Sequence, residues 1–221
     1  MEETAATPAG PNFEQVGFAE QLSVHMAMVR ADLLLRGVIT PQEPVPIEFI
    51  GEFLKWVTMH EVGHTLGLRH NFRGSTDTPM ARLQDRVWTG EHGLVNSVME
   101  YPSANIAGDG KPNGNYYTPT VGTWDLWTIS YGYTPDAEKA ASLARQVAQD
   151  GHQYGTDEDA GGIPALDPTV NVWDLGDDPL GWSKERTRLI RSIWERLPSV
   201  VLYDDRPRYE LTDALNTLLV A

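Results

Sequence analysis

Residues 60 to 70 read His60-Glu61-Val62-Gly63-His64-Thr65-Leu66-Gly67-Leu68-Arg69-His70, a run that brings together three imidazoles and a carboxylate. Residues four apart share one face of an α-helix, so His60 and His64 can direct two ring nitrogens at one ion, with Glu61 beside them. Gly67 can take a left-handed backbone conformation at little cost, ending the helix and turning the chain so that His70 returns toward the same point. Three protein ligands leave a fourth position open, which separates a catalytic zinc site from a closed structural one. Water in that position becomes acidic enough to act as a nucleophile near neutral pH, and Glu61 is placed to take its proton. The short His-Glu-x-x-His pattern arises by chance in polar helices; with Gly67 and His70 in register it is far more specific.

A helix must hold these residues, and the upstream sequence supplies one over about residues 46–66. Pro46 suits a first helical turn, and Ile50, Phe53, Val57, His60 and His64 follow at helical spacing, so an apolar face leads directly into the ligand pair.

His-Glu-x-x-His-x-x-Gly-x-x-His is the long zinc motif of the metzincin metallopeptidases, and the chain resembles that clan in a second place. Ser97-Val98-Met99-Glu100-Tyr101 is similar to the Met-turn (97–101), which implies Met99 as the apolar floor under the histidines. Tyr101 matches the tyrosine that astacin-like and serralysin-like members place near zinc, which implies a role as extra ligand or oxyanion stabiliser. Further segments extend the likeness: His70-Asn71-Phe72, Glu91-His92-Gly93-Leu94, Gly122-Thr123-Trp124-Asp125-Leu126-Trp127 with Tyr131-Gly132-Tyr133, Thr156-Asp157-Glu158-Asp159 and Trp173-Asp174-Leu175-Gly176. Together they resemble a bacterial group of large, exported zinc-dependent metalloproteases, first catalogued as a domain of unknown function, over roughly residues 47–190. The resemblance implies one catalytic Zn2+, a peptide or protein substrate, and a secreted or cell-envelope location. Asn71, after the third histidine, departs from the astacins, serralysins, adamalysins and matrixins.

Composition sets broader bounds. The 221 residues are 41% hydrophobic and 22% charged, ordinary for one globular domain. Lys+Arg 17 against Asp+Glu 31 gives a net charge of -14, which disfavours nucleic acid and anionic membrane surfaces as partners. Without cysteine there are no disulfides or thiolate metal sites, which leaves histidine as the soft ligand for zinc. Met1-Glu2-Glu3-Thr4 has neither a basic region nor an apolar segment, and no run reaches membrane-spanning length.

The expected fold is mainly α, an α+β metzincin-like core with a small or missing sheet. A Pro/Gly/Ala-rich flexible segment (1–12) precedes a catalytic domain (13–221) with a helical C-terminal part over about 122–221. Leu22, Met26, Val29 and Leu33 predict a first helix that stops at Gly37. Metzincins build a twisted sheet before the active-site helix, whose edge strand binds substrate by strand addition. No alternating strands precede His60, so the chain reads as part of a longer protein. Residues 71–122 predict one short helix at Met80 to Val87 and an exposed connection over 102–120. Further helices are predicted at Trp124 to Tyr131, from Thr134-Pro135 to about Gln149, from Asp178-Pro179 to before Pro198, and at about Tyr209 to Leu219. Asp157, Glu158, Asp159, Asp167, Asp174, Asp177 and Asp178 offer oxygen ligands to Ca2+, but no EF-hand spacing is present, and turn chemistry with helix capping is the favoured reading. His25 and His152 read as packed or partly exposed residues, and His92 as a reserve ligand. The rival to a peptidase is a catalytically silent, zinc-stabilised scaffold lacking the substrate-binding sheet; a third reading is a zinc hydrolase acting on a non-protein amide. Glu61, which a structural zinc site does not need, favours the enzyme.

Overall fold

The structure, a computed structural model, describes residues 13–40, 42–108, 111–160 and 166–201, with side-chain surroundings from 22 to 196. Seven α-helices lie along them: α1 (Phe13–Leu35), α2 (Ile47–Thr65), α3 (Arg86–His92), α4 (Thr123–Tyr133), α5 (Ala137–Ala144), α6 (Asp157–Ala160) and α7 (Pro179–Val201). No strand occurs among the described residues, so the fold is mainly α, as the sequence predicts. The segment 1–12 and the helix expected at Tyr209 to Leu219 lie outside the described residues. Two compact units partition the chain, one drawing on Met1–Glu43 and Ser192–Ala221, the other on Pro44–Arg191.

In the first unit, α1 buries Val24, His25, Met28, Val29, Ala31 and Leu33. The stripe expected from Leu22, Met26, Val29 and Leu33 is correct at its end only, because Leu22 and Met26 are half-buried and the true face is wider. The helix ends before Gly37 as predicted.

The second unit holds every residue of the histidine motif. The inward face of α2 carries Phe49, Phe53, Trp56, His60 and Gly63. The expected stripe is therefore rotated by one residue: Phe49 and Trp56 take the buried places assigned to Ile50 and Val57, which remain half-buried. The aromatic rings win because each removes more apolar surface from water than an aliphatic side chain. Trp56 stacks on Tyr117 at 5.5 Å between ring centroids, while Phe49 and Phe53 meet Tyr117 at 5.6 and 5.3 Å.

The connection over 102–120, expected to be exposed, is largely buried among its described residues, with Lys111 and Pro112 exposed. Pro102 to Asn105 and Gly114 to Thr118 are buried. Side chains replace a sheet in satisfying this backbone. Glu52 of α2 accepts from the N–H groups of Tyr116 (2.5 Å) and Tyr117 (3.3 Å) and from Asn115 Nδ2 (2.8 Å). Asn105 Nδ2 donates to the carbonyls of Leu83 (2.7 Å) and Asn115 (2.9 Å). The helix expected at Met80 to Val87 is a 3-10 turn, Met80–Arg82, followed by α3, which Asp85 caps by accepting from Trp88 N at 3.1 Å.

Later helices shift modestly. α5 starts after Asp136, whose carboxylate accepts from Glu138 N and Lys139 N, and ends at Ala144, so neither the cap at Thr134 nor the extension to Gln149 holds. A carboxylate reaches two N–H groups here and prevails over the threonine hydroxyl. α7 starts at Pro179 behind Asp178, which accepts from Gly181 N at 2.9 Å, and it continues past Pro198 to Val201.

Two carboxylates are buried beneath the Met-turn segment. Glu100 is fully buried and accepts from Ser75 N (3.1 Å) and Tyr101 N (2.9 Å); burial and then the charge of Asp174 raise its pKa well above the usual range. Burial likewise pushes Asp174 up to about 6. A carboxyl whose folded pKa exceeds its unfolded value contributes stability that is full below the unfolded pKa, 3.8, and is lost as pH rises through about 6. Asp174→Asn should therefore gain stability over the parent between pH 4 and pH 7, by at most about 3 kcal/mol at ~1.4 kcal/mol per pKa unit. Urea unfolding of both proteins at the two pH values measures this; parallel pH profiles would refute the assignment.

Candidate functional site

Helix α2 ends where the sequence requires. Gly67 has φ 86°, and the two bonds of a Schellman cap close around it, from Gly67 N to His64 O (2.9 Å) and from Leu68 N to Gly63 O (3.1 Å). This reversal aims the Leu68 carbonyl back at α2, where it meets His64 Nδ1 at 3.0 Å, and it returns His70 to the helix. One nitrogen from each of His60, His64 and His70 lies within 4.8 Å of the others, and no other group of three or more His, Cys, Asp or Glu among the described residues is so placed.

The outward nitrogens decide what the inward ones can do. His60 Nδ1 lies 2.7 Å from Val98 O, His64 Nδ1 3.0 Å from Leu68 O, and His70 Nδ1 2.7 Å from Asp157 Oδ1. Carbonyl and carboxylate oxygens only accept, so each Nδ1 carries a proton, which leaves Nε2 as the nitrogen each ring can offer to a metal. Nε2 of His60 and Nε2 of His64 are 3.1 Å apart. Nitrogens at that distance share a proton or a cation, since two bare lone pairs would repel. Burial pushes the His60 pKa down to about 3, which keeps that ring neutral, the form that ligates metal. The donor set thus fits Zn2+: three imidazoles, each oriented by an outer hydrogen bond.

Asp157 is the partner that sequence reading did not assign; it counted this residue among the acidic-loop oxygens offered to calcium. Burial opposes its ionisation, but the bond and charge of His70 with the Thr156 hydroxyl hold the carboxyl below its ordinary pKa. Its neighbour Glu158 receives Arg69 at 2.7 Å, fastening α6 to the chain just before His70. The other acids also have local tasks: Asp167 accepts from Thr169, Asp177 from Met80 N, and Asp178 caps α7. His92 is no ligand; it is exposed and stacks on Trp88 at 4.6 Å. His25 is buried in the first unit, and His152 stacks on Trp127 at 4.4 Å.

The Met-turn segment is buried from Gly93 through Glu100. Met99 lies directly under α2: a Cβ on Gly63 would come within 2.3 Å of the Met99 sulfur, so the residue before His64 must be glycine for helix and methionine to touch. Val98 is the hinge of the arrangement. Its carbonyl accepts from His60 Nδ1 and from Trp56 Nε1 (3.2 Å), and its N–H donates to Asp125 Oδ2 at 2.8 Å. Asp125, at the start of α4, also accepts from the Ser97 hydroxyl (2.7 Å) and Gly122 N (2.9 Å). A carboxylate buried with three donors replaces the sheet hydrogen bonds this loop lacks; hydrogen bonds to a charged group contribute ~1.5–3 kcal/mol each. Trp124, on the same helix, packs on Val98 and Met99. The Gly-Thr-Trp-Asp string was the available signal for Asp125.

Tyr101 is half-buried, its ring centroid 4.8 Å from that of His70 and 5.2 Å from that of His60, stacked at 5.1 Å on Trp173. Glu61 is exposed on α2 beside His60. Asn71 is fully buried: its N–H donates to Met99 O (3.1 Å), its amide donates to Gln153 O (3.0 Å), and its Oδ1 accepts from Gly155 N (3.2 Å). It thus clamps the third histidine to the Met-turn and to the approach to Asp157.

The profile of the Met-zincin family matches residues 42–221. The chain belongs to that family. The match spans well over half of the sequence and covers the whole histidine site, so this Met-zincin domain is metallopeptidase-like and its three-histidine cluster is a zinc-type site. No curated protein and no solved structure matches the chain.

Removing an outer hydrogen-bond partner of a ligating histidine typically lowers metal affinity about 10–100-fold. Asp157→Asn should show that loss in a zinc competition titration, with helix content retained by circular dichroism. Wild-type affinity in the variant would remove Asp157 from the site.

Proposed function

We propose that this Met-zincin domain is a zinc-dependent endopeptidase. The observation that carries the reading is the convergence of three Nε2 nitrogens, each ring fixed by an oxygen on its Nδ1, with the exposed Glu61 carboxylate beside them. His60, His64 and His70 would hold the ion, which when bound acidifies a water and polarises the scissile carbonyl. Glu61 takes the proton of the attacking water and passes it to the leaving amine. The Tyr101 hydroxyl donates to the oxyanion as the carbonyl carbon becomes tetrahedral. Met99 and Gly67 touch no substrate and position the ligands. The resemblance to exported bacterial enzymes makes a secreted or cell-envelope location part of the same reading. No helix among the described residues is long and apolar enough to cross a membrane.

The second reading is a catalytically silent zinc-stabilised scaffold. It is favoured by the lack of a strand among the described residues, since strand addition to a sheet edge is how such peptidases hold an extended substrate.

Elemental analysis and proteolysis of an unfolded protein distinguish the two. We expect about one zinc per chain. Glu61→Gln should retain the zinc and lose at least ~10^2-fold of the hydrolysis; His64→Ala should lose both. Zinc without proteolysis in the parent would favour the scaffold, and full activity in Glu61→Gln would remove it as the base.

A further inference from the structure

Away from the histidines, the first turns of α7 and the segment before Gly108 enclose a cavity of about 220 Å3. Arg186 lines it, and the residue is only 9% exposed. A guanidinium offers five donors. Among the described residues this one makes a single hydrogen bond, to Ala104 O at 3.4 Å, which is at the long limit. Trp182 supports it from one side, with its ring centroid 5.6 Å from Cζ. Glu185 is the one acid on the lining, and its carboxylate is taken by Arg188. Burial lowers the Arg186 pKa to about 10, so the charge persists at neutral pH.

Buried arginines are normally paired, and here the unused donors adjoin a cavity. Lys111 adds positive charge at its wall, in a chain whose net charge is -14. The remaining wall is largely apolar, with Met80, Leu83 and Leu189. A planar fork of N–H groups backed by an indole can hold the two oxygens of a carboxylate in bidentate fashion, and the apolar wall beside it suits an aliphatic tail. The volume falls below the ~300–1,000 Å3 of drug-sized sites.

We propose that this cavity is a binding site for a small carboxylate with an apolar tail, its carboxylate on Arg186 and its tail against Leu83 and Leu189. The site shares no residue with the histidine centre and stands or falls independently of peptidase activity.

Such a carboxylate is either a free aliphatic acid or the C-terminal end of a short peptide. Hexanoate and N-acetylleucine represent these sources, with hexanamide as the neutral control, in calorimetric titrations of the full chain with and without zinc. At least one carboxylate should bind at least tenfold more tightly than hexanamide, with or without zinc, and Arg186→Met should lose at least tenfold of that affinity. Tighter hexanoate identifies the free acid; tighter N-acetylleucine identifies the peptide end. Absence of saturable binding, equal binding of hexanamide, or unchanged affinity in Arg186→Met overturns the proposal. If Arg186→Met does not fold, the variant Lys111→Ala alters only an exposed charge; a loss of at least threefold supports the site, and unchanged affinity overturns it.

Discussion

The backbone of Val98 is the point on which this molecule depends. One side of it is held by a buried carboxylate, Asp125; the other receives the outward nitrogen of His60 and the indole of Trp56. Displacing Val98 would strand its N–H and its carbonyl, the Trp56 N–H and the His60 Nδ1–H in the interior at once. Buried unsatisfied donors and acceptors cost about 1–3 kcal/mol each, so the arrangement is defended from both sides. It also transmits position. The start of α4 fixes Val98, Val98 fixes the His60 tautomer and ring plane, and His60 fixes where the shared centre lies.

A helical protein lacking strands among its described residues must solve a problem that sheets solve cheaply, namely what to do with the backbone of a long buried loop. Here Glu52, Asn71, Asn105 and Asp125 each accept from or donate to several backbone groups on segments distant in sequence. These four side chains serve as an improvised ladder. The same logic lets the segment from Gly93 to Glu100 be buried throughout while carrying Asn96, Ser97 and Glu100. The Arg186 cavity is the contrasting case, a buried charge whose donors are left for something outside the chain.

Electrostatically, the histidine centre combines burial with outward hydrogen bonds. Desolvation disfavours His60 as a cation, and the oxygens of Val98, Leu68 and Asp157 bind the ring protons on the far side from the centre. His60 therefore presents the neutral form that a divalent cation requires, and the outer oxygens orient all three rings. Glu61, by contrast, stays at the surface, where a carboxylate remains solvated until substrate covers it.

The sequence alone determined the local geometry of the site. His60, His64 and Glu61 are set by helical spacing, and Gly67 with His70 by a single turn, so an eleven-residue window contains everything needed to read them. The mainly α character and the helix near Trp124 were legible for the same reason, since periodicity and capping act over a few residues. The tertiary structure decided what holds that window in place. Asp157 reaches His70 across 87 positions, Asp125 reaches Val98 across 27, and the Val98 carbonyl reaches His60 across 38. Sequence reading left Asp157 among the calcium candidates and took the 102–120 segment as exposed, because an acidic residue or an asparagine has the same local signature whether it faces water or a buried backbone. Only the fold brings the partner that distinguishes the two, since hydrogen-bond satisfaction is a property of what lies across space and not of what lies next in the chain.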